Sequence, residues 1–496
     1  MKLEMKNQLK KNKNLFCVMA IIAWFLSFYI INISMELKYS KLIVIFILCI
    51  IFLFTDYIII KEYKKNKKIN YKKIITSLSI IGIILRTCYI LYTPITARQH
   101  DMENEVGHLA YIETIYETGR LPNHNKWQFY QQPLHHIIAS MWLKINSALG
   151  VDLNVAEEGI QILTAIYSSL IIIITYCILR EMNIKDKYKM LVIAIIAVHP
   201  TFIILSGSIN NDILMIMFTF FDFLYLVKWY KDPSIKHTLI LALSVALGAL
   251  TKISSTIIAV PIIYIFIKRF MEEYNYSEEY LKILKKYAIK FSVFGIIALG
   301  IGLSFSIRNL IRFKQSIFYV PTPGQFVYCG YRTWFDRLNP FSSEWANVFC
   351  YADKDCNIFS YLVKCSLFGE YSYNENLNTL IERLLIICNI ILILISITSL
   401  IKIIIKKRKS STLNNIFIIF YITQIAMYIY GNISMPYGCT MDFRYIVPTI
   451  LMGMTFIVND LEQNKNKKYK LSVICVLSLF IVLSMIFELT DMSILS

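Results

Sequence analysis

The chain alternates between long apolar runs and short polar interruptions along its whole length. Stretches close to the ~20 residues that cross a bilayer run near 15–34, 42–60, 74–93, 160–179, 189–206, 213–229, 237–250, 253–269, 290–307, 382–404, 415–432, 445–458 and 470–489. This pattern predicts an all-α polytopic membrane protein with about 13 transmembrane helices. No large soluble domain fits between them, so function must sit between the helices or just beyond their ends.

Composition agrees. Of 496 residues, 56% are hydrophobic and the mean hydropathy is +0.54, beyond the apolar share of a soluble globular domain. A net charge of +18 would suit nucleic acid if the basic residues formed a patch interleaved with aromatics. They gather instead in short loops at 1–14, 61–73, 180–189, 406–410 and 464–470, so nucleic acid is excluded as a partner. The positive-inside rule assigns all of these loops to the cytoplasm. The first apolar run lacks a small-residue cleavage site and is expected to stay as an anchor, with the N-terminus cytoplasmic.

Threading the spans from that end puts 94–159, 207–212, 251–252, 308–381 and 433–444 outside. The charge rule used only Lys and Arg, yet the stretches of mixed polar chemistry all land on the outer face of the cell membrane. The organisation expected is one membrane domain over 1–460, including an outer-face helical first loop at 94–159 and a longer mixed outer loop at 308–381. A C-terminal transmembrane helix follows in 461–496. The 308–381 loop is rich in aromatics, Gly, Pro and Cys, which argues for order.

The eleven cysteines divide by location. Cys17, Cys49, Cys88, Cys177, Cys388 and Cys475 lie in apolar runs as small buried hydrophobes. Cys329, Cys350, Cys356, Cys365 and Cys439 fall outside, where disulfides persist. Cys350 and Cys356 could close a short loop; unpaired thiols are the equal alternative.

Candidate chemistry concentrates in the outer stretches. "QHDMENEVGH", 99–108, is the densest group of titratable residues. A helix over 101–118 would set Asp101, Glu105, His108 and Ile112 on one face and would end near Gly119, before Pro122. Clustered carboxylates raise one another's pKa and serve as a general base or a metal ligand. The plain alternative is a solvated amphipathic helix at the membrane surface.

In "FYQQPLHH", 129–136, Pro133 permits a helix start, and His135 and His136 could bind phosphate or metal, or simply hydrogen-bond. Asn210, Asn211 and Asp212 stand at the outer end of two spans, where they could cap the next helix or hold ligand hydroxyls. Lys252 interrupts the tip of an apolar hairpin and either snorkels or meets an anion. Arg444 in "MDFRYIVP" runs against the inside bias; guanidinium suits bidentate phosphate contact, with pairing to Asp442 the alternative. Arg86 and Asp222 sit within spans and must face the bundle interior, as a buried pair if they meet.

Together, "GHLAYIETIYETGRLP", "QFYQQPLHH", "LSGSINNDILM", "ALTKIS" and "MDFRYIVP" resemble segments of multi-spanning, lipid-carrier-dependent glycosyltransferases of the GT-C type. That class contains protein O-mannosyltransferases and lipid A aminoarabinose transferases. The resemblance spans roughly 75–460. It implies transfer of a sugar from a polyprenyl-phosphate-linked donor to an acceptor hydroxyl on the outer membrane face. The acceptor is a protein, a wall polymer or a lipid, and 308–381 would shape its side of the site.

By the same resemblance a first-loop carboxylate is the catalytic base. Asp101 takes that role with Glu105 as the alternate, because many relatives have adjacent acids whereas Asn104 here precedes Glu105. Donor phosphate contact is expected from Arg444, Lys252 and His136. Contact with the rest of the substrate is expected from His108, Asn210, Asn211 and Asp212. A direct displacement would invert the anomeric centre. No cofactor is certain; a divalent metal is compatible with the acidic cluster, though no diagnostic ligand spacing is present. The alternative function is a transporter or flippase of lipid-linked sugars, which would place its polar groups near the bilayer midplane in repeated, interrupted helices.

Overall fold

A computed structural model describes residues 15–30, 69–96, 106–123, 127–276, 278–322, 328–351, 354–370, 379–405 and 412–491, with residues 50, 57 and 61. The early helices are α1 (Leu15–Ile30), α2 (Tyr71–Tyr92), α3 (His108–Thr118), α4 (Leu134–Ala148), α5 (Leu153–Glu158) and α6 (Ile160–Glu181). Then come α7 (Asp186–Val198), α8 (Pro200–Ile204), α9 (Asp212–Lys231), α10 (Ile235–Thr251), α11 (Ala259–Asn275), α12 (Tyr280–Gly302) and α13 (Ser304–Phe313). The last group is α14 (Trp334–Leu338), α15 (Ile358–Phe368), α16 (Thr379–Ile405), α17 (Thr412–Ser434), α18 (Thr449–Gln463) and α19 (Lys467–Asp491). Among the described residues the only β pairing is a bridge between Tyr328 and Tyr437.

The protein is a multi-pass, all-helical membrane protein. Seven helices among the described residues are long and apolar enough to cross a bilayer, eight if the pair α12–α13, bent by 47°, counts as one span. The expected run at 42–60 lies almost wholly outside the described residues. Three other expected spans, 189–206, 237–250 and 445–458, correspond to helices of 13, 17 and 15 residues. At 1.5 Å per residue these fall short of the ~30 Å hydrocarbon core. The helices at 186–198 and 449–463 are apolar because they are packed inside protein, whereas that at 235–251 leaves Ile235, Leu239 and Leu243 exposed; hydropathy alone does not separate burial in protein from burial in lipid.

The centre of the bundle is α7, whose residues from Leu191 to Val198 are all buried. It packs against α2, α6, α18 and α19. Contact with α2 is close: a Cβ on Gly82 would lie 2.8 Å from the Ala197 Cβ. Pro200 stops α7, since it cannot donate to the Ile196 carbonyl. Arg86 fills the gap, with Nη2 donating to Ile196 O at 3.1 Å and Nη1 to Ala197 O at 2.8 Å. Its Nε donates to Ser168 Oγ at 2.7 Å. Asp222 instead accepts from Ser244 Oγ, so the Arg86–Asp222 pair does not form.

The two ends of the bundle differ. At one, basic loops meet: Lys231 contacts Glu181, and Lys185 pairs with Glu462 at 2.6 Å. The mixed polar stretches gather at the other. There Cys329 and Cys356 form a disulfide, while Cys350 is buried and outside it. The Cys350–Cys356 loop weighed from the sequence therefore does not form, and of that pair only Cys350 is an unpaired thiol. Cys329 is held beside the 433–444 segment by its N–H, which donates to Pro436 O at 2.7 Å.

Candidate functional site

Three of the polar motifs are tied to one another by amide side chains. Asn211 Nδ2 donates to Gln131 Oε1 at 3.2 Å and to Thr251 O at 2.6 Å. The Ile253 N–H donates to Gln132 Oε1 at 3.0 Å. Thus "YQQP", "INND" and "LTKI", far apart in sequence, form one wall. Asn210 braces it, accepting from the Asp212 N–H at 3.0 Å. Asn210 and Asn211 stand behind the wall and do not line the cavity in front of it.

The α3 helix supplies a neighbouring wall. It ends where expected, at Gly119, whose φ of +66° suits a residue without a side chain. His108 occupies its first position. Asp101 and Glu105 lie outside the described residues, so the expected shared face of Asp101, Glu105, His108 and Ile112 is described only from His108 onward. Arg308 of α13 donates to Pro122 O at 2.6 Å and so fastens the chain that follows α3.

His135 and His136 start α4 just after Pro133, as expected, and both are fully buried. His135 Nε2 meets Ile209 O at 2.8 Å. His136 does not reach the cavity. Its Nε2 lies 2.9 Å from His108 Nδ1, and its ring stacks on Tyr111 at 4.1 Å. Burial first, and then His108 and His135, push the His136 pKa well below the ordinary histidine value. A neutral His136 therefore orients His108, and His108 is the ring that lines the cavity.

That cavity, of about 70 Å³, is lined by His108, Asp212, Lys252, Glu370, Arg444 and Tyr445 among others. Asp212 opens α9 with only 2% of its side chain exposed and contacts Lys252 directly. Lys252 does not snorkel: it is nearly buried, with its ammonium 5.2 Å from the Tyr445 ring centroid. Arg444 lies 3.2 Å from Asp442, 3.8 Å from Asp212 and 3.8 Å from Glu370. The pairing with Asp442 weighed from the sequence is present. The longer contacts exceed hydrogen-bonding distance, and none is the bidentate fork that would occupy a guanidinium.

Burial alone would lower the Arg444 pKa, but Glu370 and Asp442, with Tyr445 and Asp212, raise it well above the ordinary value. Its charge is permanent. Glu370 escaped the sequence reading. It follows the buried apolar helix α15 through Gly369 at φ +70°, and the aromatics around it masked a lone acid. Among the described residues, no three His, Cys, Asp or Glu side chains are placed to hold a metal ion.

Fold and site together define a multi-pass helical protein with a cationic and acidic pocket at one end of the bundle. Residues 136–306, about a third of the chain, match the family model for dolichyl-phosphate-mannose-protein mannosyltransferase. The stretch starts at His136 and contains Asp212 and Lys252, and it bears out the resemblance that the motifs carry. No curated protein matches.

Solved structures with similar folds include ArnT from Cupriavidus metallidurans in the apo state, with 12% identity and a TM-score of 0.47 over 80% of this chain and 61% of that one. The apo oligosaccharyltransferase of Archaeoglobus fulgidus is similar with 13% identity and a TM-score of 0.49, over 87% of this chain and 57% of that one. ArnT bound to undecaprenyl phosphate gives 12% identity and 0.41, over 80% and 62%. The chain spans about three fifths of the length of these proteins.

Proposed function

We propose that the protein is an inverting glycosyltransferase that moves a sugar from a polyprenyl-phosphate-linked donor to an acceptor hydroxyl at the outer face of the membrane. The observation that carries this reading is the meeting of His108, Asp212, Lys252, Glu370 and Arg444, from five separate stretches of chain, around one cavity. The family match over 136–306 supports the donor class.

In the step proposed, the acceptor oxygen attacks the anomeric carbon as the bond from that carbon to the phosphate oxygen breaks. The hydroxyl proton passes to a carboxylate, Asp101 with Glu105 as the alternate. The electron pair leaves on the lipid phosphate, whose growing charge falls on Arg444 and Lys252. His108, backed by His136, offers its ring to the same phosphate or to the sugar. Asp212 and Glu370 hold the two cations apart until the donor enters. Asn210 and Asn211 act through the wall they build.

The test is transfer in liposomes containing the purified protein, a polyprenyl-phosphate sugar and candidate acceptors: peptide, wall polymer or lipid. Donor-dependent transfer is expected with one of them. Movement of the lipid-linked sugar across the bilayer, with no transfer to any acceptor, would replace this reading with a transporter.

A further inference from the structure

A second cavity, of about 100 Å³, lies among α7, α16, α17, α18 and α19. The long helices α16 and α17 make little contact with each other; α16 packs on α18 and α19, and α17 on α11 and α18. The buried α18 therefore forms the floor of a gap between two candidate spans. Ile393, Tyr421 and Ile450, which line it, are half-buried, so the gap opens sideways between the helices.

Its chemistry differs from that of the first cavity. Leu392, Ile393, Ile450, Met454, Ile457 and Phe480 give it an apolar length. Its polar lining is neutral: His199, Ser366, Asn389, Ser396 and Thr449, with no Lys, Arg, Asp or Glu. His199 is 4% exposed. Its Nδ1 accepts from the Thr201 N–H, which leaves the proton on Nε2. No described residue accepts from Nε2. A buried donor thus lines the polar end of an apolar groove. A phosphate would find no cation here, whereas a neutral carbonyl at the root of a hydrocarbon chain satisfies the donor.

We propose that this groove seats one acyl chain of a membrane glycerolipid, with its ester carbonyl accepting a hydrogen bond from His199 Nε2. The seat also bears on the first cavity. The His199 ring stacks on Phe443, interplanar angle 10°, and Phe443 directly precedes Arg444. An occupied groove braces the turn that carries Arg444.

The experiment uses the full chain in phosphatidylcholine nanodiscs doped with a phosphatidylcholine bearing a diazirine on its acyl chain. After irradiation, labelled peptides are mapped by mass spectrometry, with no sugar donor present, so the readout is independent of the proposed transfer. Labelling is expected to concentrate on 389–396 and 450–457 above the exposed face of α12 at Ile296 and Leu299, and to disappear in Ile450→Trp, which fills the groove. Replacing His199 with Asn keeps an acceptor near the Thr201 N–H but withdraws the donor, and should cut the labelling about two- to tenfold, the worth of one hydrogen bond. His199→Gln, which carries a donor at the reach of Nε2, should retain it. Even labelling around the bundle, or labelling unchanged in both Ile450→Trp and His199→Asn, would overturn the proposal. Displacement by excess polyprenyl phosphate, but not by unlabelled phosphatidylcholine, would overturn it too.

Discussion

Two buried lysine–aspartate pairs lie at the same end of this molecule and differ in what stands beside them. Lys364 and Asp355, 2.6 Å apart, are 0% and 3% exposed. Everything around them is satisfied from within: Lys364 also donates to Glu344 O at 3.1 Å, and the Glu344 carboxylate accepts from the Cys356 and Asn357 N–H groups. Burial pushes the Asp355 carboxyl above its ordinary value despite the ammonium beside it. Lys252 and Asp212 are buried almost as deeply, but they face a cavity that Arg444 and Glu370 share. Burial and pairing are alike in the two. What separates the two is the open volume beside the second pair, which Arg444 and Glu370 also line.

The contrast breaks most sharply at the proposed base. Asp101→Asn is expected to lower transfer by about 10²–10⁴-fold, the range for a lost general base, with membrane insertion intact. Glu105→Gln should do far less, and the reverse order of losses in initial rates would exchange their roles. Next comes Arg444→Ala, expected to cost about 10²–10³-fold if it stabilises charge on the departing phosphate. Arg332→Ala, beside the sealed pair, should leave the rate within a fewfold of wild type. Equal losses in the two arginine variants would erase the distinction.

The pairs themselves sharpen it further. Lys364→Met alone should destabilise the protein by about 3–5 kcal/mol by leaving a buried charge uncompensated. Lys364→Met with Asp355→Leu should regain most of that in thermal unfolding and transfer sugar normally. Lys252→Met with Asp212→Leu should regain stability and stay inactive.

The smallest effect is on pH dependence. Burial lowers His135 to about 4 from an ordinary value of 6.5, the Ile209 carbonyl and Asp212 opposing it. The unfolded chain therefore binds the proton that the folded chain refuses, so His135 lowers stability progressively as pH falls from about 6.5 to about 4. His135→Gln should flatten that part of a stability–pH curve measured by thermal unfolding.

Much of the site was legible because its residues interrupt apolar runs. Lys252, Arg444 and Asp212 stand out as polar groups at helix ends, and they do meet around one cavity. Glu370 was hidden in an aromatic-rich stretch whose fold depends on a disulfide, and the Cys329–Cys356 pairing is set by contacts that spacing does not reveal. His136 read as a ligand from its neighbours in sequence. Only the packing of α3 against α4 turns it toward His108 instead. The helices at 186–198 and 449–463 were read as spans for a related reason: their apolar faces answer to other helices rather than to lipid.

Arg86 carries a consequence for how the protein is made. Of its three carbonyl acceptors, Gly82 lies in α2 itself, whereas Ile196 and Ala197 come 110 and 111 residues later in the chain. Helix α2 thus leaves the ribosome with a guanidinium inside its apolar run, at about 2.5–3.5 kcal/mol on insertion scales, bonded within its own helix to Gly82 O but without the two α7 carbonyls. The guanidinium gains its remaining carbonyl partners only when α7 arrives, so the early bundle closes once the Pro200 break has been synthesised.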